Sequence, residues 1–315
     1  EVKQDEADKV LEILDEVYGS EDVLNCKSYS EQITKSNEML WQKFFEKSGV
    51  KLPHLIYFDQ EEVAAELLIK HHVMEHTIIT HFFFDPTYDE LLMKYFDGIE
   101  GGFNTAKKAG TYLFWALPKD SKYRIQLWKE GNFLVSEDGT YRLELTPENL
   151  KRALEEKEIL PSMLLTFIVI SFYYGVKCLG GFCQVNYLTA MKNAYIKLHA
   201  DRENYRSIEL CARVQTKELC EDLTVAFMEG PDRDISMATG LDLILYGDKN
   251  TWEILKQESR RITLNEAIGP MMPDFYRVMY SDTEREADLM SLNDKDITRV
   301  TGLDKKIEPF AKIQL

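Results

Sequence analysis

Hydrophobic positions along the first hundred residues recur at helical spacing. Val10, Leu11, Leu14 and Val17 mark one amphipathic segment, Met39, Trp41, Phe44 and Phe45 a second after Ser30, and Val63, Leu67 and Leu68 a third. Asp85-Pro86 supplies a capping side chain followed by a first-turn proline, and Gly98 supplies a stop after Tyr95 and Phe96. A helical N-terminal layer is predicted. Between Thr111 and Leu145 short aromatic and β-branched runs alternate with turn signals, and Ile125, Leu127, Leu143 and Leu145 fall at every second position. The runs TYLFWAL from Thr111, KYRIQLW from Lys122, NFLVS from Asn132 and TYRLEL from Thr140 are separated by Pro118–Ser121, Glu130-Gly131 and Asp138-Gly139. They predict an antiparallel four-stranded meander over 111–145 with one face buried.

Thr146-Pro147-Glu148 opens a further helix through Leu150 and Leu154. It leads into Leu160–Val176, a stretch of 17 residues without a charge. A membrane span needs roughly 20 apolar residues. This run is shorter and contains Pro161, Ser162, Thr166 and Ser171, so it predicts a buried central helix over 160–176 and no membrane association. Gln184–His199 presents Val185, Leu188, Met191 and Tyr195 on one side of another helix, after which Ile208–Val214 reads as a strand. Leu241–Tyr246 suits strand and helix equally, and Asn250-x-x-Glu253 and Thr263-x-x-Glu266 have the spacing of capping boxes. The class expected is α+β, a largely helical body around the 160–176 helix carrying the small meander. No repeat or linker marks a domain boundary. The division is placed near Asp201, separating 1–200 from a mixed, mostly helical 201–315, with one intimate unit as the alternative.

Composition narrows the classes of function. At 315 residues, 44% hydrophobic, the chain has ample material for a packed core. Its 54 acidic against 38 basic residues leave a net charge of -16, which repels a phosphate backbone and argues against nucleic acid as a partner. The same field suits a basic protein. The five cysteines, Cys26, Cys178, Cys183, Cys211 and Cys220, are odd in number and form no C-x-x-C pair. They read as reduced thiols of a cytoplasmic protein.

Five of the six histidines fall within 28 residues, and His72-Val73-Met74-Glu75-His76 has H-x-x-E-H spacing. On a helix that spacing would put His72 and His76 one turn apart, as ligands to a divalent metal such as zinc, with Glu75 beside them as a base for water. These five residues resemble the motif of the inverzincin metallopeptidases. The resemblance implies a metal-dependent hydrolase with a distant glutamate as third ligand, a part for which Glu155 or Glu156 is suitably placed. It ends at His76, because Thr77–Phe82 departs from the longer signature of that family. The simpler reading pairs these histidines with Glu62, Glu66 and Glu75.

Two similar loops, Gly101-Gly102-Phe103-Asn104 and Gly180-Gly181-Phe182-Cys183, each follow an inferred helix. Double glycines let backbone amides approach an anion, and Lys107 and Lys108 add positive charge near the first loop. Neither loop has the dinucleotide or P-loop pattern, and glycine as a helix stop explains both without a ligand. Cys183, in the first turn of its helix, is a candidate nucleophile. Its helix-mate His199 lies sixteen residues on, roughly 24 Å at 1.5 Å per residue, so a base would have to come from elsewhere. The hydroxyls of Tyr173 and Tyr174 complete an expected pocket at the loops. The function expected first is binding of a small anionic molecule there, with the hydrolase and a non-enzymatic protein that docks a partner on an acidic surface as alternatives.

Overall fold

A computed structural model describes residues 4–119 and 123–313. Helix and strand make up about 53% and 11%, and the larger sheet is antiparallel, which is the α+β class that the hydrophobic pattern predicts. Contacts divide the chain into two compact units. One is continuous, Phe58–Glu221, and the other joins the stretch up to Tyr57 to the stretch from Asp222. Asp201 ends a long helix inside the continuous unit.

In the continuous unit the meander forms from β1 (Phe114–Ala116), β2 (Ile125–Glu130), β3 (Phe133–Ser136) and β4 (Arg142–Glu144). Its tight turns fall at Gly131 and Gly139, whose φ values of +59° and +69° suit glycine. Part of the first expected turn, Pro118–Ser121, and Lys122 at the start of the second expected strand lie outside the described residues. Leu127, Leu134 and Leu143 turn inward from three successive strands, and Leu134 pairs with Leu143 across the β3–β4 ladder. The sheet has five strands, not four, in the order β4-β3-β2-β1-β5, and the fifth is Ile159–Pro161.

That fifth strand shortens the central helix. Pro161 has no N–H to give a ladder and holds Leu160 extended, so it sits on an edge strand antiparallel to β1. Ser162 then caps the helix Met163–Phe167, its hydroxyl accepting from the Leu165 N–H at 3.1 Å. From Ile168 to Tyr173 the helix widens to a π-helix, with the Tyr174 N–H donating to the Val169 carbonyl five residues back. Leu164, Leu165, Phe167, Ile168, Val169 and Phe172 are all buried in the one large core of this unit. Among the described residues no helix is long and apolar enough to cross a membrane.

The helix Phe182–Asp201 packs in the same core through Leu188, Met191, Tyr195 and Leu198. The expected strand over Ile208–Val214 is instead mostly the helix Tyr205–Ala212. Asn204 caps it by accepting from the Ser207 N–H at 3.2 Å, a start signal that outweighs the β-branched content of the run.

The discontinuous unit carries a second sheet, β6 (Phe227–Glu229), β7 (Ile235–Met237) and β8 (Ala311–Lys312), in the order β7-β6-β8. Its central strand is buried on both faces. Phe227 packs with Leu303 and Ile307, while Met228, one residue on, packs with Leu255 and Phe310. Leu241–Tyr246 resolves as a helix, Gly240–Tyr246, because Thr239 and Asp242 form a reciprocal capping box at its start. The expected box at Thr263 and Glu266 is present, whereas Asn250 makes no side-chain cap and Asp248 accepts from the N–H groups of Asn250 and Thr251 instead.

Candidate functional site

The histidine motif lies off the helix that its chemistry requires. The helix Gln60–His71 ends before it, His72 is the C-cap, and the backbone turns away through Glu75. His72 is 1% exposed and both its ring nitrogens are occupied: Nδ1 lies 2.9 Å from the Thr77 hydroxyl and Nε2 lies 3.0 Å from the Tyr174 hydroxyl. Glu75 and His76 point to solvent. Glu155 and Glu156 are exposed as well and pair with Lys151 and Arg152 at 3.7 and 3.0 Å. Among the described residues no group of three or more His, Cys, Asp and Glu side chains is arranged to hold a metal ion. Burial, helped by the neighbouring His71, pulls the His72 pKa down to about 4, so the ring is neutral at pH 7. A neutral imidazole needs one donor and one acceptor, which the two hydroxyls supply. Thr77 occupies the N-cap position of the helix Ile78–Phe84 yet makes no side-chain cap, its hydroxyl being turned to His72.

The structure thus gathers His72, Tyr173 and Tyr174, with the His72 ring edge-on to Tyr173 at 4.9 Å. The two Gly-Gly-Phe loops meet the helix Phe182–Asp201. Gly181 is that helix's N-cap, without a capping side chain. Gly101 and Gly102 pack against its flank, where a Cβ would meet the Tyr187 ring at 3.0 Å and the Met191 methyl at 3.4 Å. Gly180 is covered by the Gln184 side chain, and its carbonyl accepts from the Cys220 N–H at 3.1 Å. The glycines therefore serve close approach of chain to chain. Lys108 pairs with Glu137, and the Lys107 N–H donates to the Asn104 side chain at 2.9 Å while its own side chain is exposed. Cys183 is exposed in the helix's first turn. His199, near the far end of the same helix, is fully buried against Tyr195, Phe82 and Tyr88.

A cavity of about 690 Å³ opens in the discontinuous unit, where sequence reading placed no site. Its walls come from four stretches of chain. The helix Gln4–Ile13 continues into a π-helix, Leu14–Tyr18, that contributes Leu14 and Tyr18; the helix Tyr29–Glu46 contributes Leu40, Trp41 and Phe44; the helix Gly240–Tyr246 contributes Ile244; and Leu55 and Tyr57 close the rim. The aromatic wall is fixed from behind. Phe44 and Phe45 lie 5.1 and 4.8 Å from Trp252, and the Trp41 indole N–H donates to the Pro53 carbonyl at 2.9 Å.

The 18-residue helix Tyr29–Glu46 explains why the cavity is open. Its one fully buried residue is Ser36, and Leu40, Trp41, Phe44 and Phe45 are only half-buried. An apolar stripe of that size normally buries itself against a neighbour. Within the stripe, at the same helical spacing, stands Asn37, half-buried on the cavity wall with no side-chain hydrogen bond among the described residues. The stripe Asn37, Leu40, Trp41, Phe44 is legible in the sequence as i, i+3, i+4, i+7. What marks it as a site, the amide set in an otherwise apolar row, passes for ordinary amphipathicity until the opposite wall is known.

No protein-family model, curated protein or solved structure matches this chain.

Proposed function

We propose that the discontinuous unit binds a small, mainly apolar molecule carrying one uncharged hydrogen-bonding group. The observation that carries this reading is the 690 Å³ cavity between the helices Tyr29–Glu46 and Gly240–Tyr246. Its volume falls in the usual range for small-molecule sites, roughly 300–1,000 Å³. Its wall is built from Ile13, Leu14, Leu40, Trp41, Phe44 and Ile244, with Asn37 as the polar residue of the helical stripe and Tyr18 and Tyr57 at the edge. An amide offers both donor and acceptor, so it suits an alcohol, amide or ketone and gives no counter-charge to an ion. A π-helix on the wall is a further sign, since such segments concentrate at functional sites.

The test is displacement of a neutral fluorescent probe, N-phenyl-1-naphthylamine, by 1-alkanols of increasing length. Each methylene entering an apolar wall gains about 0.8 kcal/mol, so affinity rises about fourfold per carbon until the cavity is filled. A flat response along the series, or probe binding unchanged by Ile244→Arg, refutes the proposal. For an anion at the Gly-Gly-Phe loops the support is the start of the helix Phe182–Asp201, and no second feature among the described residues adds to it.

A further inference from the structure

We infer that a second, polar cavity in the discontinuous unit binds an acidic α-amino acid. The cavity measures about 310 Å³ and lies where the β6–β7 turn meets the helix Asp294–Val300 and the 3-10 turn Leu303–Lys305. Six charged side chains line it: Glu229, Arg233, Asp234, Lys295, Arg299 and Asp304. Their internal pairing is incomplete, and that remainder selects the ligand.

Arg299 is bound to Asp234 at 2.9 Å, and Glu229 to Lys312 at 3.0 Å. Arg233, Lys295 and Asp304 make no ion pair among the described residues. Lys295 is half-buried on the cavity wall, with no carboxylate of the described residues paired to its ammonium. Asp304 lines the cavity, and its Oδ1 is sealed inside the protein with no donor in reach, so the carboxylate's charge is not compensated by the protein there. Arg233 stands in the turn with φ +66°, a conformation that L side chains adopt at a cost, and lines the cavity. The uncommitted groups are thus two cations and one carboxylate.

A simple dianion would satisfy Arg233 and Lys295 but would meet the Asp304 carboxylate as a like charge. A simple amine would leave both cations unanswered. The complement is a molecule with two carboxylates and one ammonium, joined by a short apolar stem that Ile235, Ile307 and Pro309 can cover. That is the charge pattern of glutamate and aspartate. The volume is at the small end for ligand sites, which suits a molecule of this size. The site shares no lining residue with the apolar cavity, so it stands or falls independently of that proposal.

Isothermal titration of the full chain with L-glutamate, L-aspartate, glutarate and L-alanine tests the inference. Expected is saturable binding of glutamate or aspartate, with glutarate, which lacks the ammonium, and alanine, which lacks the second carboxylate, weaker by about tenfold or more. Asp304→Asn should erase the preference for glutamate over glutarate, and Lys295→Met should weaken glutamate by about tenfold. No saturable heat from glutamate or aspartate up to roughly 10 mM, or glutarate binding as tightly as glutamate, overturns it. Those comparisons use unmodified protein and do not depend on a variant folding.

Discussion

A neutral imidazole buried in a core needs a partner at each nitrogen, and the two buried histidines differ in whether they have them. His72 has the hydroxyls of Thr77 and Tyr174. His199, equally buried among aromatic rings, has no protein partner at Nδ1 or Nε2. Burial pulls both down to about 4. In the unfolded chain a histidine titrates near 6.5. The unfolded state therefore takes up protons first as pH falls, and stability declines from about pH 6.5 to about pH 4, by at most ~3 kcal/mol for each residue. Chemical denaturation at pH 7 and pH 5 measures this. His199→Phe should remove its share of the decline and, by taking two unsatisfied atoms out of the core, leave the protein as stable or more stable at pH 7. His72→Phe should cost about 1 kcal/mol at pH 7, because it strands the Thr77 hydroxyl. At Asn37 the effect lies in ligand choice. Asn37→Leu should weaken 1-decanol several-fold, a loss of about 1 kcal/mol, and leave the affinity of n-decane, which has no hydroxyl, unchanged, as displacement of the probe by each would show.

At the scale of elements, what was legible had a local cause. The meander was readable because strand period, Glu130-Gly131 and Asp138-Gly139 all specify the same turns. Asp85-Pro86 and Thr146-Pro147 start helices because cap and first-turn proline are contiguous. The fifth strand was not readable, since Ile159–Pro161 is three residues long and becomes a strand only through β1 beside it. Nor was the widening at Ile168–Tyr173, where no residue type announces a π-helix. The candidate site divides in the same way. His72 and Tyr174 stand 102 positions apart and belong to different expected sites, and only the packing of the π-helix brings them to one hydrogen bond. The sequence pattern puts each Gly-Gly-Phe loop after a helix, but the reason for Gly101, Gly102 and Gly180 lies in the atoms that crowd them. Gly101 shows this most sharply, with φ +74° and the Tyr187 ring and Met163 methyl where a Cβ would go. Gly101→Ala should therefore cost about 1–2 kcal/mol by conformation alone, and more if Tyr187 cannot yield, read as a lowered denaturation midpoint.

For the molecule as a whole, the division into units bears on how it can be taken apart. Phe58–Glu221 is one uninterrupted stretch that holds its own five-stranded sheet, its own central helix and one large apolar core from Leu68 to Val214. Among the described residues, nothing in that core is borrowed from outside the stretch. The other unit is closed by the two ends of the chain: Phe44 and Phe45 come from before Tyr57, and Trp252, which they pack against, from after Asp222. Each such aromatic contact contributes about 0.5–1.5 kcal/mol beyond the area it buries, so neither end keeps its stability without the other. Residues 58–221 expressed alone should then unfold cooperatively, with near-ultraviolet dichroism lost in a single transition. Residues 222–315 expressed alone should lack that transition and regain it when 1–57 is restored through a short flexible linker. Restoring the two ends should also restore alkanol binding, since the apolar cavity draws its walls from both of them. If 222–315 folded cooperatively by itself, the aromatic contacts across the two ends would be dispensable. The cavity would then be a surface feature of one end and not the product of closing the unit.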